Sequence, residues 1–179
     1  MMSMIMNRNS SVNRIRASRQ WLAGIGMAGA LACTGSTPAK SARLADSAFA
    51  SLQARGQAAM GVDQYTSSHV FESLPDGGRI VLQRDSVDTA GTAVIRRHLG
   101  DIAERFSAGD FSIPGMVHSQ EVPGSREMAA RRAMISYAAD TLTRGGAVRI
   151  TSTDSTAIAA IHAFVAFQRM DHRAAGHMR

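Results

Sequence analysis

The sequence predicts an α+β domain. Two ββα units supply a four-stranded antiparallel sheet with their helices on one face, and one more helix precedes them. Three observations predict it. A short pattern occurs twice, as Leu74-Pro-Asp-Gly-Gly-Arg-Ile-Val-Leu82 and as Leu142-Thr-Arg-Gly-Gly-Ala-Val-Arg-Ile150, both L-x-x-G-G-x-[IV]-x-[LI]. Each copy sits between two strand-like runs, and Gly-Gly between such runs signals a hairpin whose turn needs positive φ. Each hairpin is then followed by an amphipathic helical pattern. Two ββα units of this kind pair naturally into one sheet with a shared helical layer.

The first element is not part of that domain. Arg8, Arg14, Arg16 and Arg19 occur in the first twenty residues without an acid, and Trp21 to Ala32 is uncharged and mostly apolar. A basic stretch, an apolar stretch and small residues before a break make a secretory signal, so residues 1–32 read as a signal peptide. Its apolar part is shorter than the ~20 residues a membrane-spanning helix needs. Ala30-Leu31-Ala32 fits an A-x-A cleavage site. With Cys33 it also resembles the bacterial lipobox, in which the cysteine is lipidated, although the favoured leucine sits one place late. Cys33 is the only cysteine, so it has no intramolecular disulfide partner. Lipidation at Cys33 would tether the protein to a membrane; Thr34 is not the aspartate associated with inner-membrane retention, which favours the outer membrane. Residues 33–42, small and polar, read as a flexible tether.

The domain then spans residues 43–179. Leu44, Ala48, Phe49 and Leu52 recur at helical spacing, predicting a helix over about 43–58 that Gly56 and Gly61 fray or end. The first hairpin centres on Leu74 to Leu82 and the second on Leu142 to Ile150. Ile95, Leu99, Ile102 and Phe106 form one stripe over 92–108, and Ile158, Ile161, Phe164 and Val165 another over 155–171, with Asp154 or Ser155 as N-cap. His98 and His162 fall at matching points of these helices if a four-residue gap is allowed, and both read as packed core-edge histidines. Between the units, residues 109–126 carry Pro114, Pro123, Gly109, Gly115 and Gly124 and read as a long loop, a place where function concentrates. A short helix over 125–133 follows, and the chain ends in a polar tail from about residue 173.

Composition narrows the function. All 14 acids lie after Cys33 and four of the 20 bases before it, so the exported part carries 16 bases against 14 acids. That near balance removes the clustered basic surface that nucleic-acid binding requires. No G-x-S-x-G, P-loop, H-E-x-x-H or C-x-x-C motif is present. Three readings are left. One is a non-enzymatic binding protein of unknown ligand. The second is a transition-metal site of copper type. Met116 and His118 share a side if their stretch is extended, thioether plus imidazole suits copper, and His69, His172 and His177 are further candidate ligands. The third is an acid–base enzyme in which Glu121 orients His118, with Asp110 in the same loop.

The segments MGVDQY (60–65), LPDGGRIVLQRD (74–85), GDFSIPG, HSQEVPG and AIHAFVAFQRMDH (160–172) together resemble an uncharacterised group of bacterial exported proteins. The resemblance spans about residues 60–172. It implies a bacterial envelope protein facing the periplasm and carries no site residues with it. The leading expectation is therefore an exported, lipid-anchored envelope protein that binds a small ligand or another envelope protein.

Overall fold

A computed structural model of the chain describes residues 38–174. The signal segment, Cys33 and His177 lie outside the described residues. Helix α1 (Pro38–Met60) opens the described part and begins five residues before the expected helix, so residues 38–42 are helical rather than tether. Proline suits a first helical turn, where its missing N–H has no partner to lose. Gly56 does not interrupt the helix. A Cβ there would stand 2.9 Å from Gln64 Oε1, so the glycine admits a close neighbour.

Strands β1 (Ser67–Leu74), β2 (Gly77–Arg84), β3 (Ile135–Leu142) and β4 (Gly145–Ser152) form one antiparallel sheet in the order β1-β2-β4-β3. The two hairpins form the halves and β2 pairs with β4 at the centre. Helices α2 (Thr89–Ser107) and α5 (Ser155–Asp171) follow the hairpins. The fold is the expected α+β architecture of two ββα units. Each helix crosses to the other unit: α2 packs on β3 and β4, and α5 packs on β1 and β2.

The duplication is regular enough to give a residue register. β3 and β4 begin 68 positions after β1 and β2, at 135 against 67 and 145 against 77. The helix caps are 66 apart: Asp88 accepts from the Gly91 N–H at 2.9 Å and Asp154 from the Ala157 N–H at 2.8 Å. In that register His162 corresponds to Arg96, not to His98. The two side chains do the same work. His162 Nε2 donates to the Leu74 carbonyl at 2.8 Å, and Arg96 Nη2 donates to the Leu142 carbonyl at 2.6 Å, each at the end of the hairpin's first strand in its respective half. His98 instead corresponds to Phe164.

The expected positive φ occurs at Gly77, at +145, but not at Gly78, Gly145 or Gly146, and the pairs have a further reason. The two-residue turns are Pro75-Asp76 and Thr143-Arg144, and the glycines open the second strands. A Cβ on Gly77 would meet the Ile150 carbonyl oxygen at 2.2 Å, and one on Gly145 would meet the Leu82 carbonyl oxygen at 1.9 Å. Leu82 and Ile150 are themselves equivalent positions. The repeated pattern thus encodes the close pairing of the two central strands.

The core lies between the sheet and the helices, where Ile95, Phe106, Val148, Ile150, Ile161 and Phe164 are all at most 2% exposed. The expected long loop is partly helical. It contains α3 (Ser112–His118), with Pro114 in its first turn, and is followed by α4 (Ser125–Ala130). Among the described residues no helix is long and apolar enough to cross a membrane.

Candidate functional site

A pocket of about 90 Å³ opens between the helix-facing side of β1 and β2, the C-terminal end of α1, and helices α2, α3 and α5. Its walls are apolar, with Phe71, Ile80, Leu82, Leu99, Ile102 and Val117 prominent. Its polar groups are His69, His98, His118, His172, Gln64 and Gln168. No Asp, Glu, Lys or Arg lines it among the described residues.

The pocket exists because the duplication is broken there. Register places Ile95 opposite Ile161 and Leu99 opposite Val165, as an apolar stripe requires. The next two turns diverge: Ile102 corresponds to Gln168 and Phe106 to His172. On the sheet, Tyr137 corresponds to His69. In one half Phe106 meets Tyr137 edge-on at 5.9 Å and is stacked by Phe111 at 4.4 Å. In the other half His172 stacks on His69 at 5.2 Å and on Phe71 at 5.5 Å. One half holds aromatic rings and the equivalent place in the other half holds imidazoles, with Phe106 and His172 both lining the cavity.

His118 is the organising residue of the pocket's outer wall. Helix α3 points it inward, and its side chain is 1% exposed. Nδ1 lies 2.5 Å from Asp171 Oδ2 and Nε2 lies 2.7 Å from Gln168 Oε1. The carboxylate accepts from Nδ1–H, which fixes the ring. The glutamine amide meets the other nitrogen, accepting through oxygen or, rotated, donating through nitrogen. Both nitrogens are therefore engaged, and His118 ties α3 to the last turn of α5. Removing the ring leaves two polar partners facing a void. His118→Ala is expected to lower stability by roughly 2–4 kcal/mol, measured by urea unfolding. A loss below about 0.5 kcal/mol would show that this tie does not hold the two helices.

His172 Nδ1 is buried without a hydrogen-bond partner among the described residues. Burial lowers the His172 pKa to about 3, helped by the nearby His69 and His118. Burial likewise lowers His69 to about 4, with His98 contributing. His98 is lowered by burial, against an opposing pull from Asp101. His69, His98 and His172 are therefore favoured in the uncharged form, His69 and His172 strongly, in an apolar surround.

The structure brings together three of the residues predicted as ligands, His69, His118 and His172. It does not add Met116. On a helix, positions two apart point about 200° away from each other, so His118 is buried while Met116 is 54% exposed. The shared side expected for that pair depended on an extended backbone. Glu121 does not orient His118; it pairs with Arg126 at 2.7 Å on the surface. Asp110 pairs with Arg105 at 2.7 Å and accepts from the Ser112 N–H at 2.9 Å, hydrogen bonds that hold its pKa down at about 2. It is a local brace at the start of α3. Among the described residues no group of three or more His, Cys, Asp or Glu side chains stands where it would hold a metal ion.

Sequence reasoning missed Gln168, Asp171 and His98. The first had a signal in the sequence: aligned by helix caps, a core isoleucine in one copy becomes glutamine in the other. Asp171 had none, because its partner lies 53 residues away.

No family model matches the chain, and neither a curated protein nor a solved structure matches it.

Proposed function

We propose that this protein is a non-enzymatic binding protein of the bacterial cell envelope that takes a small ligand in the pocket beneath α3. One observation carries the binding reading. Four imidazoles and two glutamine amides line a cavity in an otherwise apolar core, beside turns of α2 and α5 where the two copies of the duplicated unit diverge. Against chemistry, His118 has both nitrogens occupied, and among the described residues no Ser, Thr, Cys or Lys side chain lines the pocket.

The pocket reading has a direct test. Dissolved xenon enters accessible apolar cavities without any specific recognition. Methyl shifts on Leu82, Leu99 and Ile102 under xenon pressure are expected, measured by NMR. Shifts absent there would mean the cavity is closed to ligands.

The envelope reading rests on the signal-like segment and on Cys33. Lipid attachment there would hold the domain on the periplasmic side of a membrane, with the outer membrane favoured. Cys33→Ser is expected to move the protein from the membrane fraction to the soluble fraction in its bacterial host. Unchanged partition would remove the anchor.

A second reading, a copper-type ion, is favoured by one feature. His69 and His172 lie 5.2 Å apart, and the Met60 thioether lines the same pocket. Imidazole with thioether suits Cu(I). Titration of Cu(I) against a chromogenic chelator separates this from the first reading, with His69→Asn expected to abolish binding if the ion sits there.

A further inference from the structure

We propose that one flank of α1, carrying Lys40, Leu44 and Ala48, lies together with Met170 on the surface of a bilayer containing anionic phospholipid. This deepens the envelope reading and rests on the lipid anchor at Cys33.

The first half of α1 stands clear of the domain's core. Every residue from 39 to 48 is exposed, and burial begins with half-buried Phe49 and buried Leu52. Lys40, Leu44 and Ala48 stand at four-residue steps and so form one ridge. Arg43 lines the same hollow as Lys40 and Leu44. Ala48 in turn walls a groove whose other side carries Met170, with Arg55 between them. Leu44 is 61% exposed and Met170 70%. Two elements thus set apolar side chains on one face, among three bases. The acids nearest that face already have partners. Asp46 pairs with Arg173 at 3.3 Å, and Asp171 lies 2.5 Å from His118. Arg173 also sits over the Phe49 ring at 4.3 Å. It ties α1 to the end of α5, so the ridge and Met170 keep their places relative to each other.

The chain indicates what covers this face. Five residues separate Cys33 from Pro38, where α1 starts. Fully extended they span about 18 Å, so a bilayer holding a lipid at Cys33 is within that reach of the first turn. Leu44 stands only about 9 Å further along the helix. Exposed leucine and methionine flanked by bases suit the headgroup boundary of a membrane. Each base near an anionic surface strengthens the contact about five-fold.

The test uses the full chain, purified with its lipid from the bacterial host and placed on phosphatidylglycerol vesicles. An environment-sensitive dye is attached at Leu44→Cys or at Ala42→Cys. Ala42 is also exposed, but positions two apart on a helix point about 200° away from each other. With Cys33 lipidated, the introduced thiol is the only one that takes dye. The dye at 44 is expected to shift to the blue and to be quenched by nitroxide lipid. The dye at 42 is expected to stay open to aqueous iodide. Lys40→Glu with Arg43→Glu is expected to lower the ratio of docked to undocked helix at least roughly twenty-fold, while the protein stays on the vesicles. An equal blue shift on phosphatidylcholine vesicles would overturn the choice of anionic lipid. Equal iodide quenching at 42 and 44, with the protein still on the vesicles, would overturn docking and leave the anchor standing. A blue shift at 44 that needs no vesicles and grows with protein concentration would give the face to a second copy of the chain, and would overturn the proposal. Dye entering Cys33 would show that the lipid is missing and would remove anchor and docking together.

Discussion

Gly145→Ala is expected to destabilise the domain by roughly 3 kcal/mol or more, enough to leave it largely unfolded. The added Cβ would stand 1.9 Å from the Leu82 carbonyl oxygen and 2.8 Å from the Gln83 Cα. Both obstacles are backbone in the central strand pair, so no side chain can swing aside to make room. The strands would have to separate, and among the described residues β2–β4 is the only strand pairing that joins the two hairpins. Gly77→Ala makes the same clash from the other unit, at 2.2 Å from the Ile150 carbonyl oxygen, and its φ of +145 adds a backbone penalty. Gly100 supplies the control of opposite sign. It lies inside α2 with nothing within 4 Å of an added Cβ, so Gly100→Ala is expected to stabilise by about 0.5–1 kcal/mol through helix propensity. Urea unfolding of the three variants decides the matter. A Gly145→Ala protein within 1 kcal/mol of the parent would show that the central strands tolerate separation.

That pair of glycines shows how far the sequence could be read. The repeated L-x-x-G-G-x-[IV]-x-[LI] pattern located both hairpins and the sheet, because strand alternation and turn chemistry are local signals. The reason for the glycines was not local. It lies in the antiparallel pairing of β2 with β4, from Gly77 against Thr151 to Gln83 against Gly145, and only the assembled sheet shows the close approach. The stretch around Met116 and His118 was harder. Proline and glycine at 114 and 115 favour a loop, yet Pro114 falls in the first turn of α3, where a missing N–H costs nothing. Once that stretch is helical, His118 turns inward and Met116 outward, which dissolves the expected metal pair. The grouping of His69, His118 and His172 was foreseen as a list of candidates, but nothing in sequence spacing says that β1, α3 and α5 converge. Gln168 was legible in principle, from the register of the two helices. It was obscured by aligning His98 with His162, when the caps at Asp88 and Asp154 align Arg96 with His162 instead.

Acid is expected to unfold this protein earlier than its carboxylates would require. His69 has its pKa lowered to about 4 and His172 to about 3, both mainly through burial. In the unfolded chain each titrates near 6.5. Between these values the unfolded state holds protons that the folded state refuses, so stability rises with pH across the window. The contribution is whole above about 6.5 and is lost as pH falls toward 4 and then 3. For His69 alone the loss is of the order of 3 kcal/mol. The two rings do not add independently, because each faces the other at 5.2 Å. The charged form of either is also opposed by what surrounds it. His98 faces His69 from α2, and His118 faces His172 from α3. The nearest carboxylate on α5, Asp171, is already engaged with His118. Asp76 and Asp110 are held below the usual carboxylate range by their arginine and backbone partners, so their loss falls at lower pH and does not fill this window. Unfolding free energy measured in urea is therefore expected to be level from pH 8 to 7 and to fall steeply from 6.5 to 4.5. His69→Phe, which keeps a ring against Phe71 and His172 and cannot take a proton, is expected to flatten that fall by about half. An unchanged slope in His69→Phe would mean that the pocket histidines already bind protons in the folded state, and the uncharged pocket would go with it.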